Sequence, residues 1–139
     1  MKDYLKIINK MTTIEKNIAI ALMLEAVKEN WYPANKDNNT TGDYYIFPER
    51  TWYPNNKRQH GDYGLRFDSD YNWQFAAIEW VEKQGYSTRI SFEPNSKIHS
   101  CSIYNHKGEI VCLREGNHFT KKEVIFECLY FFTEDFKRL

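Results

Sequence analysis

The sequence predicts an α+β fold: a mostly antiparallel sheet of about four to five strands, packed against helices in a sandwich-like αββαβββα order. Three observations carry that expectation. Apolar side chains recur at helical intervals behind good capping residues, other stretches alternate apolar with polar residues, and Gly, Pro and Asn stand between them. The chain has 139 residues, 42% hydrophobic and 27% charged, and a chain of this length buries roughly 68% of its unfolded surface, enough for one core without metal or disulfide staples. Residues 1–139 are therefore read as a single domain, with an irregular aromatic-rich insertion at about 30–63.

The first helix is expected at about 12–29. Thr12 and Glu15 have capping-box spacing, and Ile14, Ile18, Ala21, Leu22 and Ala26 form a face to bury. From Asn30 to Asp62 the pattern is lost among Pro33, Gly42, Pro48, Pro54 and Gly61, apart from a short strand expected at Tyr44 to Phe47. A second strand is expected at Gly64 to Phe67.

The clearest signal follows. Asp68, Ser69 and Asp70 can each cap a helix, and Trp73, Ala76, Ala77, Trp80 and Val81 form one stripe ended by Gly85. Tyr86, Thr88, Ile90 and Phe92 alternate with polar residues as in a half-buried strand. Two more strands are expected at about 98–104 and 109–114, turned through Asn105 to Gly108. Thr120 and Glu123 then repeat the capping box, and Val124, Ile125, Cys128, Leu129, Phe132 and Phe136 line a final helix.

Several function classes are disfavoured. The 19 basic and 19 acidic residues cancel, which removes the broad positive field of a general nucleic-acid coater. No apolar run approaches the ~20 residues of a membrane span, and Met1 to Lys6 lacks the apolar core of a signal peptide, so a soluble, cytoplasmic protein is expected. Cys101, Cys112 and Cys128 show no metal-ligand spacing and read as buried thiols of a reducing compartment; no adjacent cation or helix start marks one as a nucleophile. His60, His99, His106 and His118 have no paired motif, and Asp68 with Asp70 reads more simply as helix capping than as a cation site. No Walker loop, GxGxxG, GxSxG or HExxH occurs, and no cofactor, metal or catalytic residue is expected.

The candidate binding residues are Trp31, Tyr32, Arg50, Trp52, Tyr53, Arg58 and His60. Rings and cations are interleaved in this segment, a mixture suited to protein recognition or to base stacking with phosphate contact. The same rings could instead pack beneath the insertion as a satellite of the core. Asp37, Asp43, Glu49 and Asp62 weaken any phosphate field there.

The stretch Leu65-Arg66-Phe67-Asp68-Ser69-Asp70-Tyr71-Asn72-Trp73, with the helix, Gly turn, strand, hairpin and final helix that follow to Phe136, resembles a family of small Bacteroidetes phage and prophage proteins. These are similar in layout to the phage ABA-sandwich group. Tyr71 stands where that family more often has Trp. The resemblance supplies no catalytic residue; it implies a phage or mobile-element origin and action by binding. The expected function is thus a non-enzymatic accessory protein in the cytoplasm of a bacterial host, binding a host protein or other macromolecule, or a small nucleotide-type signalling molecule, as a defence antagonist. The alternative is a nucleic-acid or nucleotide-binding module using residues 31–63. An enzyme whose site assembles from distant residues is the third reading.

Overall fold

Thr12 accepts the Glu15 amide on its hydroxyl at 3.1 Å, which starts the first helix where the capping spacing places it. A computed structural model describes residues 12–30, 43–48 and 58–136. Along these run α1 Thr13–Met23, β1 Val27–Asn30, β2 Asp43–Ile46, β3 Gln59–Gly61, a 3-10 turn Asp62–Gly64, and α2 Tyr71–Lys83. Then come β4 Ser87–Glu93, β5 Ile98–Tyr104, β6 Ile110–Gly116 and α3 Lys121–Phe136. The α+β class is as expected, but the described strands form two three-stranded antiparallel sheets, β1-β2-β3 and β4-β5-β6, instead of one sheet of four to five.

Two local expectations fail for physical reasons. The first helix stops at Met23, six residues early. Glu25 takes the left-handed conformation at φ 70°, the Glu25 amide donates to the Leu22 carbonyl and the Ala26 amide to that of Ala21. This is the glycine-type helix stop built on a glutamate, and it releases Val27–Asn30 to pair with β2. The strand expected at Gly64 to Phe67 is replaced by β3 three residues upstream and a turn. The backbone of Phe67 is bonded to side chains instead of to a ladder: its N–H donates to Asn17 Oδ1 and its carbonyl accepts from Gln74 Nε2, both at 2.8 Å.

The second helix begins and ends as read, and the third begins as read; Lys137 and Arg138, expected in its last turn, lie outside the described residues. Asp70 Oδ1 accepts the Asn72 amide at 2.8 Å, and Gly85 turns α2 into β4 at φ 98°. Thr120 and Glu123 exchange both capping-box bonds. Trp73, Ala77, Trp80 and Val81 are buried, as are Val124, Ile125, Cys128, Leu129 and Phe132. α3 buries more than one stripe, adding Phe126, Tyr130 and Thr133. The reason is its position: it lies on the β5–β6 face bearing Cys101, Ile103 and Cys112, and also packs against α1 and α2. Lys16 of α1 reaches Glu127 at 2.7 Å.

One buried cluster runs through both sheets and all three helices. Its tightest aromatic part joins the first sheet to α2. Trp73 meets Phe47, His60 and Phe67 edge to face, at ring separations of 6.2, 4.7 and 5.1 Å. The opposite face of the second sheet carries exposed Arg89, Ser91, Leu113 and Glu115, the half-solvated arrangement open to antiparallel sheets.

Removing either side chain that holds Phe67 takes away a bond to a buried backbone group. Asn17→Ala and Gln74→Ala are each expected to lower unfolding free energy by about 1–3 kcal/mol. Phe75→Ala, on the exposed side of α2, should fall within roughly 0.5 kcal/mol of the parent. Equilibrium urea denaturation of the three variants measures this.

Candidate functional site

Where α2 hands over to β4, Gln84, Gly85 and Tyr86 face the turn between β5 and β6 and the last turns of α3 across an open cleft of about 700 Å³. Tyr86, Val111, Phe132 and Phe136 make its apolar lining, and Gln84, Asn105, His106 and Asp135 supply polar groups. The rings are fixed by one another: Tyr86 meets Phe132 edge to face at 4.9 Å, Phe132 lies 5.8 Å from Phe136, and Phe136 meets Trp80 at 5.4 Å.

The polar side is held by turn chemistry. Asn105 Oδ1 accepts the amides of Lys107 and Glu109, the Asn105 amide donates to the Glu109 carbonyl, and Gly108 takes φ 80°. His106 is thereby carried at the cleft by a fastened hairpin. Among the nine described lining residues Asp135 is the one carboxylate, and there is no Lys or Arg. A cleft of this volume and lining suits a small ligand with a ring-sized apolar body. The single carboxylate favours a hydrogen-bond donor or cation on that body, and a phosphate would find no lysine or arginine among the described lining residues.

A second surface feature lies at the start of α2. Tyr71 and Phe75 are 37% and 44% exposed, enough to offer ring faces to solvent, and they stack at 5.9 Å with planes 17° apart. Lys122 Nζ lies 4.7 Å and Lys121 Nζ 6.0 Å from the centre of the Tyr71 ring. Ring and cation are thus interleaved among the described residues, though not in the segment that the sequence singles out.

Of the residues singled out there, Trp31, Tyr32, Arg50, Trp52 and Tyr53 lie outside the described residues, as does most of the 30–63 insertion. Arg58 is exposed and its Nε donates to the Phe47 carbonyl at 3.0 Å, tying it to the end of β2. His60 is 7% exposed and sits inside the core against Phe47 and Trp73, so these two residues do not form one surface. Asp70 is engaged as the α2 cap, and Asp68 accepts from Asn17 Nδ2 at 3.0 Å. His99 stacks on Phe92 at 4.4 Å and His118 lies against Phe119.

The cleft residues were not legible as a site. Tyr86 and Phe132 read as ordinary inward positions of a strand and a helix, and no local pattern singled out Val111 or Asp135. Tyr71 and Phe75 did leave a signal, as two rings four residues apart lying off the buried stripe of α2. No family model, curated protein or solved structure matches this chain.

Gly85 both lines the cleft and turns the chain into β4. A Cβ there would meet nothing within 4 Å, so the cost of Gly85→Ala is backbone strain alone. It is expected to destabilise the fold by about 1–2 kcal/mol, measured as a shift of the urea midpoint at unchanged slope.

Proposed function

We propose that this chain works by binding, as a phage or prophage accessory protein that takes up a small signalling molecule of the host and so blunts a defence response. The observation that carries the reading is the chemistry of the cleft. Four apolar side chains surround space for a ring system, amides and one imidazole offer hydrogen bonds, and a single carboxylate sets the charge preference. Tyr86, His106 and Asp135 are the titratable side chains there; no paired carboxylates and no serine or cysteine lie among the described lining residues, which favours retention of a ligand over its turnover. The preferred ligand is a neutral or cationic heteroaromatic molecule. A nucleotide-type ligand fits through its base, with its phosphates left in solvent.

The test is a panel of heteroaromatic bases, amines and their phosphorylated counterparts, screened by ligand-observed NMR and thermal shift. Binding to the native state at a hundred times Kd adds about 2.7 kcal/mol of apparent stability. Val111→Trp places bulk into the cleft and is expected to abolish the shift while preserving the far-UV spectrum. Asp135→Asn should weaken cationic ligands more than neutral ones. Equal binding by the parent and Val111→Trp would remove the cleft as the binding site.

The stacked Tyr71–Phe75 pair beneath two lysines favours a second reading, contact with single-stranded nucleic acid. Each stacked base contributes ~1–3 kcal/mol and each neutralised phosphate adds about 0.7 to the slope of log affinity against log salt. Lys121→Ala combined with Lys122→Ala should therefore flatten that slope by roughly 1.4, as read by fluorescence anisotropy on a labelled oligonucleotide across a salt series. An unchanged slope would exclude this surface.

A further inference from the structure

Three thiols meet where β5, β6 and α3 pack together. Cys112 Sγ donates to the Cys128 carbonyl at 3.3 Å, and the Cys128 thiol donates to Cys112 Sγ at 3.8 Å. Cys101 also interacts with Cys128. The three are not equivalent. Cys101 and Cys128 are 1% and 0% exposed, whereas Cys112 is 8% exposed and lines a surface cleft of about 380 Å³ with Arg114, Phe131, Glu134 and Asp135.

The cation that sequence spacing failed to place beside Cys112 is Arg114, two residues along the same face of β6. Its guanidinium lies 4.2 Å from the centre of the Phe131 ring, and its Nε is buried with no hydrogen-bond partner among the described residues. The Cys128 thiol donor holds the Cys112 thiol below the ordinary cysteine range, helped by Arg114 and opposed by burial and Asp135. Contact with Cys101 and Cys112, together with burial, pushes Cys128 far up. Cys112 is therefore the least enclosed of the three and its thiol the more readily ionised, whereas Cys128 is enclosed and held as thiol. That is the division of roles between an attacking and a resolving cysteine.

We propose that Cys112 is a site of reversible oxidation by hydroperoxides, with Cys128 as its resolving thiol. The Cys112 thiolate attacks one oxygen of the hydroperoxide; the O–O bond breaks, an alcohol or water departs with a proton, and a sulfenic acid remains on Cys112. The Cys128 sulfur then attacks the Cys112 sulfur. The S–O bond breaks, and the Cys128 proton leaves with the hydroxyl as water. In sum, two thiols lose two electrons and two protons, and the peroxide is reduced to one alcohol or water plus one water. The resulting bond would tie β6 to α3 beside Val111 and Asp135, which also line the larger cleft.

Trypsin separates the three cysteines, because Lys97, Lys107, Arg114 and Lys122 stand between and before them. The reduced full-length chain is treated with hydrogen peroxide under native conditions, quenched with alkylating reagent and mapped without reduction. The expected product is a link between peptides 108–114 and 123–137 that dithiothreitol reverses, in protein retaining its native far-UV spectrum. Cys101→Ala should keep the link. In Cys128→Ala, dimedone should label Cys112. Mapping of the parent alone decides the matter if that variant fails to fold. A link through Cys101, a link between two chains, a link formed only in urea, or no product while a free exposed thiol in the same tube is consumed would each overturn the proposal.

Discussion

The arrangement depends on how the backbone of Phe67 is satisfied. Its side chain is fully buried, so neither its N–H nor its carbonyl can turn to water, and each unmade bond there costs on the order of 1–3 kcal/mol. Asn17 on α1 and Gln74 on α2 take one group each, and Gln74 Nε2 also donates to the Lys122 carbonyl in the first turn of α3. Two buried amide side chains thus bring all three helices to one point. Trp73 closes over it and gathers Phe47 and His60 from the first sheet. The first sheet is joined to the rest through rings, and the helices are joined through amides.

α3 converts that arrangement into two clefts. Because it packs on the second sheet and also against α1 and α2, its last turns stand beside the edge of β6 and the β5–β6 hairpin. Between them lies the larger cleft, with the smaller one on the far side of Val111 and Asp135. The two differ in electrostatics. The larger has a lone carboxylate among rings. The smaller has Arg114 above the aromatic face of Phe131, next to a thiol that burial alone would keep neutral. Net charge near zero for the whole chain conceals these local differences.

Much of the architecture could be read from residue order. Both capping boxes, the Asp70 cap, the stripe from Trp73 to Val81 and the Gly108 turn are local patterns that recur in the structure within one or two residues, and the alternation of β4 holds as far as Ile90, Phe92 being exposed. The errors fall where a local pattern was outvoted. Glu25 occupies a left-handed position that sequence rules reserve for Gly, so the early end of α1 and the strand after it had no visible marker. Leu65 and Phe67 look like alternating strand residues, but side-chain amides from positions 50 residues before and 7 residues after supply the bonds a neighbouring strand would have made. The buried trio of thiols was expected one cysteine at a time. Their meeting required knowing that β5, β6 and α3 share a face.

Sequence alone determined where the three helices start, the three strands that follow the second helix, the apolar stripes of the last two helices, and that no familiar catalytic motif is present, because those properties depend on neighbours within one or two turns of chain. Tertiary structure decided the division into two sheets, the burial of His60, the cleft around Phe132 and the contact of Cys112 with Cys128. These depend on distances between residues far apart in the chain, and such distances follow from how buried polar groups find partners and how bulky side chains share one interior.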